Sequence, residues 1–408
     1  MSLQTALSGL SGAQTALNTV ANDLANVSTT AFKSQTSLFA DVYPANATNA
    51  PGIGVTTSSL STDQTQGTMV PSGNPLDAGI QGSGYFITSQ NGQQQYTRDG
   101  SFQLSPTGQL VNATGGKIQG YAVNANGTKA GSLSAITVNT GAVPANATSA
   151  VGLTVSLNSG DVPIPATTTF NPADSTTYNE STSVVTYDSL GNANRVGLYF
   201  VENPAASATV PSTWSVYAQP QTSAGATVGT PTLMTTLGFS TSGALTSGSP
   251  ATLNVAWGNG SAASAVAFNM TGTTLGAQNF ALDGTTNDGY APGNYSGSSI
   301  NAAGNVESTY SNGQTISAGS LGIANFINQQ GLQSVSGNLF AATQSSGQPV
   351  VDTAGTGQAG TIAGGNLEQS NASSSQLLVQ LIQYQQAYQA NASVIQTEQQ
   401  DGTRLTQI

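Results

Sequence analysis

The chain has 408 residues, enough for roughly two to four domains, with 6 basic against 17 acidic side chains and a formal net charge of −11. The cations Lys33, Arg98, Lys117, Lys129, Arg195 and Arg404 never cluster, which argues against a nucleic-acid surface and an anionic-membrane patch. With no Cys and no His, thiol nucleophiles, imidazole bases, disulfides and the usual zinc ligands are removed at once.

At the start of the chain, Leu3, Leu7, Leu10, Gln14, Leu17, Ala21 and Leu24 step by four and three. That spacing predicts a helix over residues 1–30 with one apolar seam. Gly9 and Gly12 each cost about 1 kcal/mol of helix propensity, but they permit close approach by a neighbour. No Lys or Arg precedes Lys33 and no unbroken apolar core follows Met1, so the start does not read as a secretory signal. If the protein leaves the cell, the expectation is a route that reads no cleaved signal. No segment approaches the ~18 apolar residues of a membrane span.

Residues 31–75 are polar, rich in Thr and Ser, and punctuated by Pro44, Pro51 and Pro71. They read as an extended connector with one short strand around Gly54–Leu60. From 76 to 145 the pattern is β: Tyr85–Thr88, Gln95–Thr97, Ser101–Leu104 and Gln109–Val111, with turns at Asn91-Gly92, Asp99-Gly100 and Pro106-Thr107-Gly108. Residues 146–290 form a second β domain of sandwich or barrel type, with strands at Ser183–Tyr187, Val196–Val201, Trp214–Tyr217, Thr252–Trp257 and Val266–Met270. Residues 291–369 return to the style of 76–145. The expected architecture is therefore mainly β with helical termini, as nested discontinuous domains: a composite inner β domain encloses an outer one.

The last segment, 370–408, carries the longest pattern. Leu377, Leu381, Tyr384, Tyr388, Asn391, Ile395, Glu398, Gly402 and Leu405 again alternate four and three, with a capping box expected at Ser373 and Gln376. Asn391 has two readings, an exposed polar residue or a buried key that fixes helix register. Two helices touching along one seam bury too little to offset the entropy of ordering them. Both termini are thus expected to be mobile alone and to fold when several copies share their seams.

Three constellations carry residue types that could do chemistry. Gly355-Thr356-Gly357-Gln358-Ala359-Gly360 matches the dinucleotide fingerprint by letter but lacks a following helix, so it reads as a loop. Asp283–Gly289 is rich in oxygen ligands but lacks calcium-loop spacing, and reads as a turn cluster. Paired carboxylates could serve a glycosidase, yet nothing marks two of the seventeen. No catalytic residue, cofactor or metal is expected.

Asn22-Asp23-Leu24-Ala25-Asn26-Val27-Ser28-Thr29-Thr30-Ala31-Phe32-Lys33 resembles the N-terminal motif of bacterial flagellar rod, hook and hook-associated proteins, the axial family. Leu367-Glu368-Gln369-Ser370-Asn371, followed by the seam with Tyr388-Gln389-Ala390-Asn391, resembles their C-terminal motif. Asn371-Ala372-Ser373 departs from the commoner Asn-Val-Asp. Ile80–Phe86 and Tyr96–Phe102 resemble the core of the rod and hook branch, and Phe170–Asp174, Thr177–Asn179 and Tyr187–Gly191 resemble the outer domain of its hook members.

The resemblance implies a structural, non-enzymatic subunit that self-assembles into a flexible curved tube carrying torque from rod to filament. It implies terminal helices (Leu3, Leu7, Leu10, Leu17, Leu24; Leu377, Leu381, Tyr384, Tyr388, Asn391, Ile395, Leu405) that meet neighbouring copies, and motif positions at Asn22, Asn26, Phe32, Lys33 and Asn371. Implied partners are other copies of the chain, the flagellar rod, hook cap and hook-filament junction proteins, and the type III export apparatus. The implied place is the extracellular flagellum. A distal rod or junction protein is the alternative within the family, and a secreted β-rich adhesin outside it.

Overall fold

The structure is a computed structural model and describes residues 3–43, 52–124, 129–204 and 213–405. It is mainly β with one helix at each end of the chain, the class expected. Its contacts divide it into two units: Met1–Thr140, Gly297–Ser308 and Thr315–Ile408 form the first, and Gly141–Ser296 with Thr309–Gln314 the second.

In the first unit, helix α1 spans Leu3–Ala25. Strands β1 (Gln35–Val42) and β2 (Gly54–Thr62) form an antiparallel hairpin that packs on α1. Within residues 31–75 the strand expected around Gly54–Leu60 is β2, and it has a partner, β1, that the connector reading lacks. Strand β1 escapes a sequence reading because its buried contacts are partly polar: Ser37 is buried, and its hydroxyl meets Thr19 Oγ1 at 2.9 Å. The hairpin's apolar residues Leu38 and Leu60 are exposed, so no two-residue alternation marks a core face.

Beyond the hairpin, the early and late chain are zipped together. Strand β3 (Met69–Pro71) pairs with Asn366–Glu368, and β4 (Ala78–Gln81) with Thr361–Gly364, both antiparallel. Strands β5 (Tyr85–Gln90) and β6 (Gln93–Thr97) turn through Asn91-Gly92, both at positive φ, as a two-residue hairpin requires. The long strand Thr315–Asn325 pairs with β5 through Ile323 and Phe86, and Leu339–Ala341 pairs with β6. The core beneath interleaves the two halves: Phe326 stands edge-on to Tyr96 at 4.8 Å, and Phe340 edge-on to Tyr85 at 5.6 Å. Gly355–Gly360 is the turn between the strands Val350–Thr353 and Thr361–Gly364. Helix α2 (Ser374–Leu405) ends the unit. The Ser373 hydroxyl lies against Ser375 Oγ at 3.2 Å, so the capping box is not made there.

The second unit holds two five-stranded sheets. One is a meander of Glu180–Tyr187, Ala193–Glu202, Trp214–Gln221, Thr232–Phe239 and Leu245–Ser247. In the other, Ala150–Asn158 runs parallel to Ser264–Asn269 and antiparallel to Ala281–Asn287. Alternate residues of both sheets enclose one apolar core around Trp214, Phe200, Phe268, Leu153 and Leu198. The oxygen-rich run at 283–289 is mostly strand rather than turn. Asp283 accepts from Ser156 Oγ at 2.7 Å, and Asp288 takes the N–H groups of Ser149 and Ala150 at 2.9 and 3.0 Å. Its acids thus satisfy a neighbouring strand, which hides the strand beneath turn-like letters. At the Asp188–Gly191 turn, burial pushes the Asp188 carboxyl up. Hydrogen bonds from the side chains of Asn259, Asn192 and Asn194 and the Asn192 N–H outweigh that, holding its pKa at about 2.

Candidate functional site at the joined chain ends

Within the first unit, three stretches remote in sequence converge on one buried carboxylate. Pairing of β3 with Asn366–Glu368 brings Glu368 opposite Met69 and beside Gly67. Glu368 Oε1 accepts from Lys33 Nζ at 2.6 Å and from the Gly67 N–H at 2.9 Å. Gly67 has to lack a Cβ, since one built there lies 2.0 Å from the Gln369 carbonyl oxygen. Arg98 Nη1 stands 3.4 Å from Glu368 Oε2, and its guanidinium donates to Ile80 O at 3.1 Å and Gly82 O at 2.6 Å. It also lies 5.6 Å from the centre of the Tyr85 ring. The Lys33 and Glu368 side chains are 1% and 0% exposed.

This is two cations around one acid, out of water, in a chain with little charge elsewhere. Burial lowers the pKa of the Lys33 ammonium, opposed by its hydrogen bond to and attraction by Glu368. Burial pushes the Tyr85 phenol up to about 12. Lys33 also donates to Thr65 O at 2.7 Å, so it ties both the hairpin's exit and the C-terminal strand to the end of the N-terminal motif.

Asn371 repeats the tie three residues later. Its Oδ1 accepts from the Ser34 N–H at 2.8 Å, and its Nδ2 donates to Asp63 O at 2.8 Å and Thr65 O at 3.2 Å. The Ala31 N–H donates to Glu368 O at 2.8 Å, although Ala31 sits at φ 55, a left-handed backbone costly for a residue with a Cβ. Asp23, buried near the end of α1, accepts from the Gln35 N–H at 2.8 Å and so fixes the helix to β1. Burial raises its pKa, against the bonds it receives.

Of the expected motif residues, Lys33 and Asn371 lie in this cluster, and Phe32 joins through its carbonyl, which accepts from the Asn371 N–H at 3.3 Å. Asn22 and Asn26 close α1 instead: Asn26 Nδ2 donates to Asn22 O at 2.9 Å, and Thr29 Oγ1 donates to Asn26 Oδ1 at 3.0 Å. Glu368, Arg98 and Asp23 lie inside the motif stretches Leu367–Asn371, Tyr96–Phe102 and Asn22–Lys33, but the sequence gives them no role of their own. The available signal was scarcity: Lys33 and Arg98 are two of six cations, and a buried charge needs a partner. Among the described residues, no group of three or more His, Cys, Asp or Glu side chains could hold a metal ion.

Beside this junction the helices pack antiparallel. Gly9 lies against Asn391, while Gly12, Ala13 and Ala16 share an apolar groove with Tyr384, Ala387, Phe39 and Val55. On α2, Leu377 is buried and Leu381, Tyr384, Tyr388, Asn391 and Ile395 are half-buried, while most of the intervening glutamines are exposed. The side chain of Leu405 lies outside the described residues.

On α1 the packed stripe is not the leucine seam. It is Ala6, Ala13, Ala16 and Val20, roughly 100° round the helix from Leu3 and Leu7, which are 51% and 56% exposed. Gln14 and Ala21 are exposed, and Leu10, Leu17 and Leu24 half-buried. Small residues win this face because α2 and the hairpin approach too closely for leucine. Both helices are formed within one chain, and the hairpin supplies a third surface that a two-helix reading leaves out.

Asn391 is half-buried and faces α1 of its own chain: its Nδ2 donates to Ala387 O at 3.0 Å while its amide fills the space a Gly9 Cβ would need, 2.8 Å away. Gly9→Ala should therefore lose its helix-propensity gain of about 1 kcal/mol in the parent and recover it in an Asn391→Ala background. Urea unfolding followed by far-ultraviolet circular dichroism measures this. Equal effects in both backgrounds would mean the two residues do not meet.

Comparison with known proteins covers both ends and both units. Residues 3–33 match the family described as flagella basal body rod protein, and 363–408 the flagellar basal body rod FlgEFG protein C-terminal family. Residues 79–162 match the flagellar hook protein FlgE/F/G D1 domain, and 156–290 the flagellar basal body protein FlaE D2 domain. The chain is 36% identical to the flagellar hook protein FlgE of Salmonella typhimurium, over 98% of each chain. It is also 36% identical to that of Escherichia coli K12 over 98% of each, and 28% identical to that of Treponema pallidum over 97% of this chain and 96% of its relative. In fold it is similar to the crystal structure of Helicobacter pylori flagellar hook protein FlgE2, with a TM-score of 0.56 at 14% identity, covering 74% of this chain and 99% of that one.

Proposed function

The chain belongs to the flagellar hook protein family, and from that premise we propose how its parts divide the work of a hook subunit. It is a structural component of the polymeric flagellar axis, placed in the hook outside the cell. The observation that carries this is similarity along the whole length, at 36% identity over 98% of the chain, rather than at one motif.

The terminal helices meet those of neighbouring copies through Leu3, Leu7, Leu10, Leu17 and Leu24 on α1 and through the half-buried seam positions Leu381, Tyr384, Tyr388, Asn391 and Ile395 on α2, while Leu377 is closed off within the chain. The Lys33–Glu368–Arg98 cluster fixes that helix pair to the β body, so a load on the helices reaches the sheets. The β units form outer layers whose surfaces, rich in Ser, Thr, Asn and Gly and poor in charge, slide because few strong ion pairs must break. The subunit carries no catalysis. It meets rod, hook cap and junction proteins at the two ends of the tube, and the type III export apparatus delivers it.

Electron microscopy of the full chain concentrated in polymerising salt tests this reading. Curved tubes from the parent, abolished by deleting residues 376–408, are expected. Monodisperse monomers of the parent under every condition would sink it.

A further inference from the structure

Two short ties join the early and late chain, β3 with Asn366–Glu368 and β4 with Thr361–Gly364, and one side chain bridges them. Met69, in β3 opposite Glu368, is half-buried and reaches over Gly79 in β4. A Cβ built on Gly79 would overlap the Met69 methyl and lie 3.1 Å from its sulfur. The Asn366 carbonyl oxygen would stand 3.4 Å from the same point. Gly79 is buried and its backbone lies outside the left-handed region, so it is glycine for room rather than for conformation. The unbranched thioether of Met69 fills that room.

Sulfur is scarce in this chain, which has 4 Met and no Cys. Met270 is fully buried in the core of the second unit, and Met234 packs against the same core. Among the described residues of the first unit, Met69 is the one sulfur atom.

We propose that Met69 is an oxidation site governing the junction, and that its sulfoxide loosens the tie between the helix pair and the β body. The reagent class is a peroxide. A lone pair of Sδ attacks one peroxide oxygen, the O–O bond breaks, and the departing hydroxide takes the proton of the new S–OH as water. Sulfur loses two electrons, the peroxide gains them, and the product is methionine sulfoxide.

The added oxygen can only accept hydrogen bonds. It enters a slot walled by the Gly79 backbone and the Asn366 carbonyl, itself an acceptor, while the Asn366 side-chain amide already donates to Gly364 O at 2.9 Å. A buried acceptor without a donor is costly, so β3 moves off β4 to reach water. Just before β3, the Gly67 N–H holds Glu368 Oε1, and the Glu368 carbonyl in turn holds the Ala31 N–H. Both bonds loosen with the strand. Reduction of the sulfoxide restores the thioether and the tie, which makes the change reversible. It is a property of the single chain and stands whether or not copies assemble.

Full-length protein treated with hydrogen peroxide tests it. Mass spectrometry of its peptides should show one oxygen gained at Met69 before Met234 and Met270. Amide exchange at Gly67 and Ala31 should then quicken at least about ten-fold, while Ile87 and Val151–Leu157 keep the rates of untreated protein. Methionine sulfoxide reductases A and B, one for each epimer, should bring back the untreated rates. Met69→Leu conserves volume and lacks the sulfur, so its exchange should be the same with and without peroxide. Each of four results would overturn the proposal: Met69 still a thioether when Met234 and Met270 are oxidised, sulfoxide at Met69 with unchanged exchange at Gly67 and Ala31, quickening that persists once the thioether is restored, or peroxide-driven quickening in the Met69→Leu protein.

Discussion

Glu368→Gln is expected to destabilise the first unit by about 3–5 kcal/mol, the range for stripping one partner from a buried ion pair. The substitution keeps an oxygen for the Gly67 N–H but leaves Lys33 and Arg98 as buried cations without their counter-charge. Lys33 has further to fall than a surface lysine, since burial already disfavours its charged form. The loss should appear as a lower urea midpoint of the first unit. Faster hydrogen exchange at Ala31, whose N–H is held by the Glu368 carbonyl, should accompany it. Lys33→Met combined with Glu368→Met should restore part of the stability, because an apolar pair of similar volume removes the uncompensated charge. Arg98 stays unpaired in that variant, so recovery should be incomplete. A loss below about 1 kcal/mol for Glu368→Gln would put the pair in the class of weak surface bridges and undo its proposed role in carrying load.

Trp214→Ala is expected to cost the second unit about 3–5 kcal/mol, the usual range for emptying an aromatic site that cannot collapse. Trp214 is fully buried at the start of its strand, paired with Glu202 on one side and Leu237 on the other, and held in the core with Phe200 and Phe268. Both sheets face that core, so neither can shift to fill the void without breaking its own register. Hydrogen exchange should quicken at Val151–Leu157 and Val196–Val201 and stay unchanged at Ile87 and Ile323 in the first unit. Equal quickening in both would mean that the two units unfold as one cooperative body.

How much of this was legible beforehand depended on whether a contact writes itself as a period. The α2 seam did, because one helix face meets a continuous neighbour: Leu377 through Ile395 are the less exposed positions of that helix. The β blocks did too, through Asn91-Gly92 and the alternation of Val196–Val201. The first strand of the hairpin, Gln35–Val42, did not, because the Ser37–Thr19 hydrogen bond makes part of its contact with α1 and apolar area only the rest. On α1 the leucine period was real but did not mark the packed face. Close approach selects Ala and Gly, and a stripe of small residues carries little hydropathy signal. At the junction, the motif letters pointed to Lys33 and Asn371. Lys33's partner Glu368 is one acid among seventeen, and only pairing between β3 and the strand at residues 366–368 sets it beside the lysine.

Lys33 and Glu368 stand 335 positions apart. A chain made at ~5–20 residues per second brings the second of them into existence roughly 15–70 s after the first. Throughout that interval the lysine has Thr65 O but no counter-charge, Ser34 lacks the Asn371 side chain, and loop closure over such a span adds its own delay. The junction is therefore a record of completeness. A molecule cut short anywhere before Glu368 has β3 without its mate, no carboxylate for its two cations and no anchored final helix. Quality control of the building block is in this sense written into the order of its residues, with the last stretch to emerge licensing the first.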